Sequence, residues 1–193
     1  MSQASAVVIP MPRRPLVPNA VLGMVIFVVM EIMFFAGLFS AYMISEGMAA
    51  AGWPPPGEPR LPIEETAFNT FALLASGVCL VLSARALPRN ALASKRLLIA
   101  SIALGAFFVI FQGAEWVALI SQGLTLTTST HGSFFYLIVG AHALHAIIAL
   151  AALGWALART IKQTLPRAAF QAVRIFWYFV VAVWPILYWL VYL

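Results

Sequence analysis

Charge is the scarcest ingredient of this sequence. Only 9% of its 193 residues are Asp, Glu, Lys or Arg, against about 25% in soluble domains. A water-facing globular surface cannot be built from so few ions, so a soluble protein is excluded. Cysteine is nearly absent as well. Cys79 stands alone within an apolar run, which rules out a disulfide scaffold and makes it a small core residue. No Walker loop, paired-cysteine metal motif, nucleophile elbow or Gly-rich dinucleotide loop is present.

Apolar length is abundant instead. Hydrophobic residues make up 63% of the chain, gathered into runs at about 20–44, 68–87, 97–120, 131–157 and 170–193. Each run can cross a ~30 Å hydrocarbon core as a helix. The runs are continuous and too long for the alternating, ten-residue strands of a membrane barrel. The expected fold is all-α: an integral membrane bundle of five transmembrane helices over residues 19–193, preceded by a tail at 1–18. The first run exceeds the core of a signal peptide, and no small-residue cleavage site follows it.

The positive charges give a direction. Of the eleven Lys and Arg, all but Arg60 fall on one side: Arg13 and Arg14 before the first span, Arg85, Arg89, Lys95 and Arg96 between the second and third, and Arg159, Lys162, Arg167 and Arg174 around the start of the fifth. The positive-inside rule places the N-terminus in the cytoplasm and the C-terminus outside. The same pattern explains the basic balance without nucleic acid, because the charges frame helix ends and form no patch with interleaved aromatics. It also explains Arg13-Arg14 better than a twin-arginine signal does. Trp53, Trp116, Tyr188, Trp189 and Tyr192 are expected at the outer interface, and Trp155 and Trp177 at the inner one. The outer loop carries Trp53-Pro54-Pro55-Pro56-Gly57. It is expected to be extended, either a stiff cover or a plain linker.

Polar groups inside spans are costly and point to function. Glu31 lies near the centre of the first span and Glu115 toward the outer end of the third. A carboxylate there must be paired or hold a proton; the plainer role is a hydrogen bond to a neighbouring helix. His142 and His145 sit three apart on one helix face of span four. That spacing could chelate a metal with one of the glutamates, but bonding between helices, or contact with lipid or a partner, needs fewer assumptions. Two histidines on one helix cannot sandwich a haem. His131 is expected at the interface. Small residues form packing stripes at Ala36, Gly37, Ser40 and Ala41, and at Ala72, Ala75, Ser76, Cys79 and Ser83.

Taken together the motifs resemble a known family. GMVIFVVMEIMFFAG at 23–37, WPPPG at 53–57, Asn69-Thr70 and LLASG at 73–77 carry the likeness. Gln112, Glu115, GSFFY at 132–136, Gly140, His142 and His145 continue it, and Trp177, Phe179, Val183, Trp184, Leu187 and Tyr188 close it. In this order they resemble subunit III of the haem-copper oxidases, in a five-helix form lacking the first two of seven helices.

The resemblance implies a non-catalytic subunit that binds the catalytic subunit I, lies in one complex with subunit II and small subunits, and supports proton uptake. It places haem and copper in those partners and gives this chain bound phospholipid but no metal. It makes Glu31 the family's buried, carbodiimide-reactive carboxyl and Arg159 a ligand for a lipid phosphate; plain topology would also account for that arginine. It implies a bacterial-type inner membrane. Tyr178, Val181 and Val139 stand where many members have a histidine, an aspartate and a threonine. Pro185 falls within the last span, where it frees a carbonyl and favours a kink.

Rival readings share or discard the fold. Subunit III of a quinol oxidase, or an accessory of nitric oxide reductase, would look alike. A stand-alone membrane metalloenzyme would use Glu31, Glu115, His142 and His145. A proton-coupled transporter would want discontinuous helices and inverted repeats, which are not visible.

Overall fold

A computed structural model describes residues 17–50 and 52–193. Arg13, Arg14 and most of the expected tail at 1–18 lie outside the described residues. The chain forms α1 (Asn19–Gly47), α2 (Ile63–Ala86), α3 (Ala91–Ser121), α4 (Thr130–Ile161) and α5 (Arg167–Tyr192). All five are long and apolar enough to cross a membrane.

Local chemistry sets the helix ends, often beyond the apolar runs. α2 starts before its apolar stretch because Glu64 and Glu65 occupy its first turn, where carboxylates complement the free N–H groups and the helix dipole. The Asn90 side chain caps α3 by accepting from Ala93 N at 2.9 Å, and Ser129 caps α4 by accepting from Gly132 N at 2.9 Å. α4 ends in a Schellman turn. Thr164 N donates to Arg159 O at 2.9 Å and Gln163 N to Thr160 O at 3.1 Å, with Gln163 at φ 55° in the position glycine usually fills. α5 continues as helix through Pro185.

α2 and α3 form a tight antiparallel hairpin, joined by a four-residue turn at 87–90. Their seam repeats every seven residues, so the same faces meet every two turns. Asn69 Nδ2 donates to Phe108 O at 3.1 Å, Ser76 Oγ to Ser101 O at 2.8 Å, and Ser83 Oγ to Ser94 O at 2.8 Å. Small hydroxyls let the backbones approach and leave no polar group facing lipid.

α5 is the hub, packed against α1, α2 and α4. This position overturns part of the aromatic expectation. Trp177 is fully buried, and its Nε1 donates to Ser76 Oγ at 3.1 Å. Tyr192 is buried as well. Trp189 and Trp155 do face outward. Trp177 lies so close to α3 that a Cβ on Gly105 would sit 2.6 Å from its Cη2; only glycine fits there. α1 is the outermost helix. It buries only Phe35 and Tyr42 and leans on α5 and α4. Its small residues Ala36, Gly37, Ser40 and Ala41 are all exposed, Ala36 at the edge of a groove between α1 and α5.

The loop between α1 and α2 folds back as a cover. Pro56-Gly57 makes a turn, with Glu58 N donating to Pro55 O at 3.3 Å and Gly57 at φ 92°. The segment is therefore bent and not extended throughout. Trp53 Nε1 donates to Tyr42 OH at 2.9 Å, pinning the loop to α1.

Candidate functional site: polar groups within the spans

The polar side chains of the spans separate into distinct groups. Glu31 of α1 faces His145 of α4, with Oε2 3.0 Å from Nε2. The side chains are only 18% and 13% exposed, respectively. The other ring nitrogen, Nδ1, lies 2.6 Å from Ala141 O. A carbonyl oxygen can only accept, so Nδ1 carries a hydrogen. One hydrogen then lies between Nε2 and the carboxyl, whether the pair is acid and imidazole or carboxylate and imidazolium. Either way the pair is neutral overall, as an apolar surround demands. Phe35 packs edge-on to the His145 ring at 5.5 Å between centroids.

His142 behaves differently from its neighbour. It is 1% exposed, and its Nε2 has no hydrogen-bond partner. Its ring lies 4.9 Å from Trp184, tilted by 36°, and edge-on to Phe108 at 6.2 Å. The histidine spacing suggested a hydrogen-bonding pair; the fold gives that role to His145 alone and makes His142 an aromatic packing element between α4, α3 and α5.

Glu115 belongs to a third group, near the far end of the bundle. Thr66 Oγ1 lies 3.1 Å from Oε2 and 3.2 Å from Oε1, and Gln112 Nε2 donates to Oε2 at 2.8 Å. The Gln112 amide also meets Tyr192 OH at 3.1 Å. The carboxyl thus ties α3 to α2 and, through Gln112, to α5. Beside it, Trp184 Nε1 donates to Thr70 Oγ1 at 2.8 Å. Sequence reasoning had not marked Thr66 or the serines at 94 and 101. The seven-residue spacing of Ser76 and Ser83 on α2 and of Ser94 and Ser101 on α3 was the available signal for the serines; Thr66 lies outside that repeat.

A fourth group closes the far end. His131 Nδ1 lies 2.6 Å from Glu58 Oε2, with both side chains largely buried. Trp53 covers the His131 ring edge-on at 5.2 Å. His131 is therefore not a free interfacial residue but the anchor of the proline-rich loop.

At the opposite end Arg159 is exposed, its guanidinium 5.7 Å from the Trp155 ring centroid. Among the described residues no three or more His, Cys, Asp or Glu side chains gather in a way that could hold a metal ion. Glu31 and His145 pair with each other, Glu115 is engaged elsewhere, and His142 is sealed among rings. The four residues a membrane metalloenzyme would need do not converge.

Comparison with known proteins agrees with this architecture. The family model described as Cytochrome c oxidase subunit III matches residues 16–193. The chain is 35% identical over 180 residues to the probable cytochrome c oxidase subunit 3 of Mycobacterium leprae, covering 91% of this chain and 88% of that one. It is 35% identical over 173 residues to the corresponding protein of Nocardia farcinica, covering 86% and 84%. With cytochrome c oxidase subunit 3 of Mus musculus it shares 33% identity over 177 residues, covering 86% of this chain and 66% of the mouse protein. An all-helical, five-span bundle matched over residues 16–193 by one family is thereby placed: the chain belongs to the cytochrome c oxidase subunit III family and is a subunit of a multi-subunit haem-copper oxidase.

Proposed function

We propose that the chain is a non-catalytic subunit of an oxygen-reducing, proton-pumping oxidase in a bacterial plasma membrane, seated against the haem- and copper-bearing subunit I beside subunit II. The observation that carries this reading is the unpartnered face of α1. Met30, Met33 and Ile44 are exposed beside the small stripe, and among the described residues no other element comes within 4 Å of a Cβ placed on Gly37. In a membrane such a stripe favours close helix approach. The organisms of the relatives support the bacterial membrane, and the one-sided arginines and lysines support a cytoplasmic N-terminus.

Glu31 and His145 then serve as an interhelical clamp that holds one exchangeable hydrogen near this face, in keeping with a role in proton uptake. Arg159, stacked on Trp155, keeps its guanidinium edge free for a lipid phosphate. Haem and copper belong to the partners.

A mild-detergent pull-down of the tagged chain tests the reading by visible spectrum and mass spectrometry. An a-type haem spectrum with subunits I and II is the expected result. A b- and c-haem pair with nitric oxide reductase subunits would move the chain to that complex. A colourless, solitary chain would overturn the proposal.

A further inference from the structure

Six buried side-chain polar atoms find no hydrogen-bond partner among the described residues. Three of them, Gln112 Oε1, Trp116 Nε1 and His142 Nε2, belong to residues that line one cavity of about 220 Å³ between α3, α4 and α5. The helices explain the coincidence. Gln112 and Trp116 are four residues apart on α3 and share a face. That face looks at α4: the Trp116 ring packs edge-on to Tyr136 at 5.7 Å between centroids, and a Cβ on Gly140 would sit 3.4 Å from its Cη2. His142 follows Gly140 by two residues and closes the cavity from the α4 side.

The three atoms are chemically complementary. The Gln112 amide nitrogen is engaged by Glu115 Oε2 at 2.8 Å and Tyr192 OH at 3.1 Å. The amide oxygen is therefore the free end, and it only accepts. The Trp116 indole nitrogen only donates, and His142 Nε2 does either according to its tautomer. Packing against Trp184 and the edge of Phe108 accounts for the His142 ring but not for its nitrogen.

Leaving such groups unpaired is costly, and hydrocarbon supplies no substitute partner. Gly113 and Ile147, which also line the cavity, are exposed on the outer surface of the bundle. An acyl chain entering there would fill space and satisfy none of the three atoms. Water satisfies all of them. A buried water typically makes about three hydrogen bonds. One can accept from the indole and give its two hydrogens to the amide oxygen and to an unprotonated Nε2. The space suffices, because a water's share of liquid volume is about 30 Å³.

We propose that the cavity between α3 and α4 is a buried water site held by Gln112, Trp116 and His142. The water extends the Glu115–Gln112 hydrogen bonds across to α4. Thr66 of α2, Glu115 of α3 and His142 of α4 then belong to one network. The site rests on the packing of α3, α4 and α5 and is independent of which redox subunits flank the bundle.

The test is a cryo-electron microscopy map of the complex purified through the tagged chain, at a resolution that shows ordered water, together with melting curves. Solvent-sized density within hydrogen-bonding distance of at least two of the three atoms is expected. Trp116→Phe removes the N–H and keeps an aromatic ring; His142→Phe does the same for Nε2. Each is expected to weaken that density and to lower the melting temperature. In a dry cavity each variant would only delete an unpaired group and melt no lower than the parent. An empty cavity, elongated density from an amphipathic molecule or acyl chain, or either variant melting at or above the parent overturns the proposal.

Discussion

Glu31 and His145 hold α1 and α4 together through a single hydrogen bond in an apolar setting. The physics makes removing one partner worse than removing both. Glu31→Leu leaves the His145 Nε2 without its partner, at a cost of about 1–3 kcal/mol for an orphaned buried group. Glu31→Leu combined with His145→Leu is expected to recover most of that loss, a non-additivity readable as the thermal stability of the purified complex. Equal and additive losses would show that the two groups do not act as a pair. Glu31→Gln is expected to assemble, because an amide can still donate to Nε2. Sequence located the costly residues Glu31, Glu115, His142 and His145, since a polar side chain inside an apolar run is visible without any fold. It could not assign their partners. His145 and His142 differ by one turn less a fraction, yet one meets a carboxyl and the other meets indole. That outcome depends on the rotation of α4 against α1 and α5.

At the scale of the element, the α2–α3 hairpin is governed by its seven-residue polar repeat. Ser83→Ala removes one bond to Ser94 O and is expected to cost about 0.6 kcal/mol, the average for interhelical hydrogen bonds in membranes. Ser76→Ala removes the bond to Ser101 O and also leaves the Trp177 indole N–H unpartnered; about 1–3 kcal/mol is expected. Gly105→Ala drives a methyl into the same indole at 2.6 Å, with an overpacking cost of about 1–3 kcal/mol. Melting curves of the three variants should therefore rank Ser83→Ala mildest. Ser83→Ala matching the other two would refute the central place given to Trp177. The helices themselves were legible as apolar runs. Their true ends were less so, because caps such as Asn90 and the acidic first turn of α2 are polar and lie outside the hydrophobic signal.

On the scale of the whole molecule, the bundle has one helix that is poorly attached. α1 is expected to need a partner, so a bulky change on its outward stripe should separate folding from assembly. A Cβ at Gly37 has no described neighbour within 4 Å, so Gly37→Leu starts out from open space on the outer side of α1. It is expected to leave the bundle inserted and folded while reducing the amount of this chain per catalytic subunit, measured by quantitative mass spectrometry. Unchanged stoichiometry would place the partner on another face. The same asymmetry extends along the membrane normal: the arginines and lysines gather at one end, and the Glu58–His131 anchor and the Trp53 cover close the other.

The sequence by itself determined the medium, the number of spans and the sidedness of charge. These follow from composition and run length, because hydrocarbon excludes ions and unpaired backbone whatever the neighbours are. It also carried the family, since ordered motifs survive without coordinates. Only the tertiary structure decided which polar groups meet, which tryptophans are core and which face outward, and that α5 and not α1 is the hub. Those facts depend on helix rotation and order of packing. The apolar runs of α1 to α4 are hydrophobic nearly all round and leave that rotation unspecified, while α5 alone shows a clear apolar face. Small residues, a few hydroxyls and the bulk of Trp177 and Trp184 settle it only when the helices are brought together.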